Sequence, residues 1–258
     1  MIECVDHLLK KEKSFDYIDS HAGAGLYSLH SSEAEKLLEY KSGIGKLDAT
    51  DWPELSKYFE TINAFNPNKI LDFYPGSPLF VLNRLRQNDK AWLYELHPQD
   101  FTALKTNLGK YRQAHISQKD GLQGLLAVLP PKSRRGLVLI DPAYEVKTDY
   151  QQVSDTLIKA FRKFSTGTYI LWYPVVERNR IDWMIKQFVK AEIQDLQQFE
   201  LGVLEDSQGY GMTSAGVFVI NPPYQLFEKM KGLLPRLAST LSQDLQPHYQ
   251  CKIIVEES

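Results

Sequence analysis

Asp19-Ser20-His21-Ala22-Gly23-Ala24-Gly25 closes an apolar run, residues 15–20, at the point where a first strand is expected to turn into a helix. Glycines at such a turn let the backbone approach a ligand and leave helix N–H groups free to meet it. The dinucleotide fingerprint G-x-G-x-x-G needs a third glycine at position 28, which is Ser28. No Lys-Ser/Thr pair follows the glycines, which excludes a phosphate-binding P-loop. A lone G-x-G is also compatible with a plain tight turn, so the reading depends on the strands that follow.

Working outward, short apolar runs alternate with amphipathic stretches, the signature of βα units around a mostly parallel sheet. The runs read as strands are residues 15–20, 91–96, 114–118, 136–141, 168–173, 198–204 and 216–221. Helical spacing over 149–164, 180–191 and 226–241 fills most gaps. The last two strands are joined by a Gly-rich polar connection, 205–215, with no helix between them, so they read as an antiparallel hairpin. A parallel sheet ending in such a hairpin is the Rossmann-like α/β fold of class I S-adenosylmethionine-dependent methyltransferases, with seven strands. Helical patterns over 31–47 and 53–65 make residues 31–73 a helical insertion, leaving 1–30 and 74–258 as the methyltransferase domain.

The second strand ends in Glu95-Leu96-His97-Pro98 and the third in Asp120-Gly121. An acid at the second tip can accept both ribose hydroxyls of a nucleoside, and one at the third can accept an adenine amino group. Either alone could simply cap a helix. Three tips in order, Gly23 and Gly25, then Glu95, then Asp120 with Gly121, describe a nucleoside-binding crevice at the switch point of an open sheet.

The fourth strand delivers Asp141-Pro142-Ala143-Tyr144. The lone pair of an exocyclic adenine amine is delocalised into the ring, so the amine is a poor nucleophile. Two acceptors, the Asp141 carboxylate and the Pro142 carbonyl, can each take one amine N–H and free that lone pair. Proline holds the acceptors in place, and Tyr144 offers a face for a base taken out of its stack. Trp172 and Tyr173, at the fifth strand tip, are candidates for lining the base pocket. A rival exists in Asn221-Pro222-Pro223-Tyr224, which fits the general Asn/Asp-Pro-Pro-aromatic pattern more closely. It follows the seventh strand, away from the expected crevice.

Bulk composition is permissive. The 258 residues carry 30 basic and 32 acidic side chains, a net charge of −2, and no apolar run long enough to span a membrane. The two cysteines, Cys4 and Cys251, have no metal-ligand spacing, so no metal site is expected and a reducing cytoplasm is. A nucleic-acid binder is often basic overall, although a local stripe such as Lys132, Arg134 and Arg135 can hold phosphate. The plain reading of that stripe is a solvated turn.

With these residues assembled, the chain resembles the RlmJ family of 23S ribosomal RNA adenine-N6 methyltransferases, relatives of which carry the older description of catabolism of external DNA. The resemblance rests on residues 18–25, Tyr74-Pro75-Gly76-Ser77-Pro78, 95–98, Asp120-Gly121, 133–144, 171–176 and Gly211-Met212-Thr213. It implies S-adenosylmethionine as cofactor and 23S rRNA as partner; nothing in the sequence suggests more than a monomer. It also implies His21, Ser77, Glu95, Asp120 and Gly121 as cofactor contacts, with Asp141 catalytic and near the methyl end. The family has a second proline where this chain has Ala143, which implies a looser turn and slower turnover. Family members also carry a Lys-His pair upstream of the first helix, whereas Met1 lies inside that helix, so those contacts are not expected here. A DNA adenine-N6 methyltransferase and a nucleic-acid-binding protein with weak or no transferase activity are the alternative readings.

Overall fold

The computed structural model describes residues 1–31, 39–206, 211–243 and 246–256. Its centre is an eight-stranded sheet formed by β1 (Asp16–Asp19), β4 (Lys90–Tyr94), β5 (Ala114–Ser117), β6 (Gly136–Ile140), β7 (Thr168–Val175), β8 (Leu196–Gly202), β9 (Ser214–Ile220) and β10 (His248–Val255). The spatial order is β10-β8-β9-β7-β6-β1-β4-β5. β1 pairs in parallel with both β4 and β6, so the winding direction reverses there. The reversal opens a crevice beyond the C-terminal ends of β1, β4 and β6. β6 reads Gly-Leu-Val-Leu-Ile and is buried along its whole length, as a parallel strand covered on both faces must be.

One face carries α6 (Gly121–Val128), α7 (Lys147–Lys163) and α8 (Arg178–Lys190), whose Leu125, Leu157 and Met184 pack on Val138, Ile140 and Leu171. The other carries α1 (Ile2–Leu9), α4 (Ser77–Leu82), α5 (Pro98–Leu108) and α9 (Leu226–Leu241), whose Val5, Leu79, Leu104 and Leu234 pack on Tyr17, Leu137 and Leu139. No helix among the described residues is long and apolar enough to cross a membrane.

The class I methyltransferase fold expected from the sequence is the one observed, with three differences. The main sheet has eight strands rather than seven, because β10 adds to its edge against β8. The antiparallel β8–β9 pair is therefore not the end of the chain's sheet; α9 and β10 follow it. A separate ribbon, β2 (Leu26–Ser28) with β3 (Phe73–Pro75), ties together the two ends of the insertion. Between those strands lie the helical turn α2 (Glu39–Ser42) and α3 (Ser56–Ala64). The helix expected over 31–47 falls partly on residues 32–38, outside the described residues. The insertion packs on α9 through Trp52, Phe59 and Leu233, with the Arg236 guanidinium 4.6 Å from the centre of the Trp52 ring.

Candidate active site

The turn after β1 is built on two glycines in the left-handed region, Gly23 at φ +57° and Gly25 at φ +76°. A side chain on Gly23 would displace the Tyr27 hydroxyl, 2.0 Å from its Cβ, and the left-handed conformation itself favours glycine here. Its backbone is tied to the next strand tip, since Gly23 N–H donates to Glu95 Oε2 at 2.9 Å. The other oxygen, Glu95 Oε1, accepts from the His97 N–H at 2.7 Å. Each oxygen keeps a second lone pair, which leaves the carboxylate able to accept two hydroxyls.

Asp120 is the N-cap of α6, accepting from Leu122 N–H at 2.9 Å and Gln123 N–H at 3.2 Å. The capping role and a place on the crevice wall coexist, because Oδ2 is held only by the Gln123 side chain at 3.0 Å among the described residues. Next to it Gly121 presses on β1: a Cβ there would lie 1.7 Å from the Ser20 carbonyl oxygen. His21 is mostly buried, with Nδ1 2.7 Å from the Ser20 hydroxyl, and burial lowers its pKa to about 4. It is neutral at physiological pH.

Beneath these residues lies a network that sequence reading missed. Asp19 is fully buried. Its Oδ2 accepts from the hydroxyls of Tyr17 and Ser77, each at 2.7 Å, and its Oδ1 from the His21 N–H at 3.2 Å. Three donors keep a buried carboxylate viable, although burial still raises its pKa. Ser77, a cofactor contact only by what the resemblance implies, is held against Asp19 by α4 and the ribbon that precedes it. The available signal for Asp19 was its place as the last residue of β1, directly before the glycine turn.

Asp141 leaves the tip of β6 beside Asp19. Burial first, and then the Asp19 charge, raises its pKa from 3.8 to about 7. Pro142 is buried behind it, and Ala143 stands exposed at the turn. Tyr144 donates to the Trp172 carbonyl at 2.8 Å, and its ring lies 6.1 Å from the Trp172 ring. The structure therefore gathers His21, Gly23, Gly25, Ser77, Glu95, Asp120, Gly121, Asp141, Pro142, Tyr144 and Trp172 on and after the five adjacent strands β7, β6, β1, β4 and β5. Tyr173 does not join them. It is 0% exposed, stacks on Phe218 and donates to Glu200 at 2.8 Å. Side chains alternate across a strand, and Tyr173 falls on the core side of β7.

The rival site is also separated. β9 runs antiparallel to β7, with Ile220 opposite Tyr169, so Asn221 emerges at the opposite edge of the sheet. Its Nδ2 donates to the Ser165 and Gly167 carbonyls at 2.7 Å each, while Tyr224 is 93% exposed. Asn221 closes a turn. Among the described residues no group of three or more His, Cys, Asp or Glu could hold a metal ion. A cavity of about 450 Å³ lies elsewhere, between the insertion and α9, with Ile44, Tyr58, Met230 and Leu233 in its wall and none of the crevice acids.

The family model described as "Ribosomal RNA large subunit methyltransferase D, RlmJ" matches residues 12–255. The chain belongs to the RlmJ family. It is 44% identical over 255 residues to Ribosomal RNA large subunit methyltransferase J of Escherichia coli (strain K12), covering 98% of this chain and 91% of that one. The enzyme of the same name from Haemophilus influenzae is 45% identical over 240 residues, 92% of this chain and 85% of its own length. Among solved structures, protein LPL1258 of Legionella pneumophila superposes with a TM-score of 0.88 at 31% identity, over 98% of this chain and 93% of that one. In this RlmJ-family chain the matched span includes the glycine turn after β1, the strand tips that carry Glu95 and Asp120, and the Asp141 tip.

Proposed function

We propose that this chain transfers a methyl group from S-adenosylmethionine to the exocyclic N6 amine of an adenine in 23S ribosomal RNA. The observation that carries the reading is Asp141, half-buried beside Asp19 at the tip of the strand next to the switch point, with Pro142 and Tyr144 following it. Membership of the RlmJ family and the names of the two relatives support an RNA of the large ribosomal subunit as substrate.

The crevice fits that cofactor. Asp19, Glu95, Asp120 and Asp141 surround it while His21 is neutral, so the site has the sign to receive a molecule with a sulfonium and an ammonium group. At Gly121, where a Cβ would meet the Ser20 carbonyl, the start of α6 packs directly on the end of β1 and so narrows the crevice between their tips. Glu95 would hold the ribose hydroxyls and Asp120 with Gly121 the adenine, while the charge of Asp19, buried beneath the crevice behind Ser77, would favour the cationic end from a distance. When bound, S-adenosylmethionine supplies an electrophilic methyl group.

The protein's own part is orientation and proton acceptance. Asp141 accepts one N–H of the target amine and the Pro142 carbonyl accepts the other, drawing the nitrogen lone pair out of the ring and toward the methyl. A carboxylate whose pKa is raised toward 7 is a better proton acceptor than an ordinary one. Tyr144 cannot contribute its hydroxyl, which is held by the Trp172 carbonyl. Its ring, anchored in this way, is available as a stacking face for the extruded base.

The test is transfer of labelled methyl from S-adenosylmethionine to deproteinised 23S rRNA, with duplex and single-stranded DNA alongside and digestion of the products to nucleosides. N6-methyladenosine from RNA alone is expected. Product from DNA alone, or no product despite cofactor binding, would refute the reading.

A further inference from the structure

The crevice gathers acids at the C-terminal edge of the parallel strands. The N-terminal edge carries the opposite charge. Four turns enter β6, β1, β4 and β5 there, and these strands are neighbours in that order. The turn before β1 presents exposed Lys10, Lys11 and Lys13; that before β4 presents Lys90. The turn before β5 presents Lys110 and Arg112, and that before β6 presents Lys132 and Arg134. None of these eight forms an ion pair among the described residues. The same four turns offer one exposed acid, Glu12; Asp89 is buried and bound to Arg86 and the Phe15 N–H.

The cations are held on a rigid frame. Arg86 donates to the carbonyls of Lys11 at 2.8 Å and Lys13 at 3.2 Å. Arg135 donates to the carbonyl of Leu8 at 2.7 Å and also to that of Lys13. Two guanidiniums thus brace a lysine-rich turn from both sides; the charge of Arg86 is offset by Asp89, while Arg135 adds positive charge beneath the turn. Arg135, which the sequence grouped with Lys132 and Arg134, is a strut rather than an open contact. The crowding is electrostatically visible: after burial, the charges of Lys10, Lys11 and Arg135 lower the pKa of His7. In a chain of net charge −2, such a concentration is not a sampling of the average surface.

We infer that this edge is a second contact surface, which holds the phosphate backbone of the RNA substrate at a distance from the methylated base. The inference rests on the proposed RNA specificity and adds to it where the RNA runs. Strands about 4.8 Å apart give four neighbouring turns a span of about 15 Å, enough to meet several successive phosphates of one strand. The acidic crevice repels phosphate, so most backbone affinity has to come from elsewhere on the surface. Lysine and arginine contacts of this kind set affinity and orientation without reading sequence. A long, folded RNA can reach both edges of the sheet, whereas a short oligonucleotide at the crevice cannot.

The test compares the wild-type chain with Lys13→Gln/Lys110→Gln/Arg112→Gln/Lys132→Gln, drawn from exposed positions in three of the turns. Binding is measured for a long 23S rRNA transcript and for an oligonucleotide of about ten nucleotides, within the range one single-strand site covers. For the transcript the dissociation constant is expected to rise about ten-fold or more, and the slope of log K against log salt to become shallower by about 3, for four lost phosphate contacts. Affinity for the short oligonucleotide and for S-adenosylmethionine is expected to stay as in the wild type. Unchanged affinity and salt slope on the transcript would overturn the inference, as would an equal loss on the short oligonucleotide. If the wild type binds the transcript with the steep slope and the variant does not, yet neither methylates any RNA, the surface stands and the proposed reaction fails.

Discussion

Ser77 Oγ donates to Asp19 Oδ2 at 2.7 Å, joining residues 58 apart in sequence. The bond crosses from the first turn of α4 to the tip of β1, and the whole helical insertion lies between its partners. The ribbon β2–β3 makes it possible: Gly76 N–H donates to the Gly25 carbonyl at 2.8 Å, which sets α4 against the glycine turn. The insertion is therefore tied to the crevice at its base, whatever else it contacts.

Ser77→Ala removes one of two hydroxyls from the same buried carboxylate oxygen. Hydrogen bonds to charged groups are worth about 1.5–3 kcal/mol, and Tyr17 remains as a partial replacement. Thermal unfolding should show a lower Tm than the wild type, and calorimetric titration a weaker affinity for S-adenosylmethionine. Equal Tm and equal affinity would remove Ser77 from the network.

Asp141 predicts a pH dependence with a definite sign. Its folded pKa, about 7, lies above the ordinary 3.8. Between those values the folded chain keeps a proton that the unfolded chain has released, so this site favours folding less as pH rises from about 4 to 7. Asp141→Asn lacks the titration. The Tm difference between Asp141→Asn and the wild type should be small near pH 4 and grow in favour of the variant up to pH 8. A difference that is constant across this range would show that Asp141 titrates normally.

The fold was legible where the physics is local. β1, β4 and β6 are short apolar runs that end abruptly in polar tips, and their order places the tips in one crevice. β10 was not legible, because it is a half-exposed edge strand without a clean alternation. β2 and β3, of three residues each, are too short for periodicity to register. In the site, Glu95, Asp120 and Asp141 followed from their places at strand ends. Ser77 came only from resemblance, and its partner Asp19 was passed over, since a contact 58 residues apart leaves no local trace. Trp172 and Tyr173 looked equivalent because sequence gives the alternation of a strand but not which parity faces the core.

Asn221 is the residue whose motif most resembles the catalytic pattern and whose position excludes it from the crevice. Asn221→Ala unpairs the Ser165 and Gly167 carbonyls and places alanine at φ +50°. A loss of about 1–3 kcal/mol in stability is expected, the cost of unsatisfied polar groups, with methyl transfer per folded molecule unchanged. Chemical denaturation alongside single-turnover transfer would check both parts, and a selective loss of transfer would return Asn221 to contention.

In the proposed mechanism Asp141 acts on the target amine in a crevice that binds cofactor without it. The most direct measurement is therefore S-adenosylmethionine binding and single-turnover methyl transfer to 23S rRNA by Asp141→Ala. Retained binding with transfer reduced by about 10²–10³-fold or more, the scale for losing one preorganised polar group, is the predicted result. Transfer at close to the wild-type rate would contradict the assignment, and with it the account of how this fold carries out its chemistry.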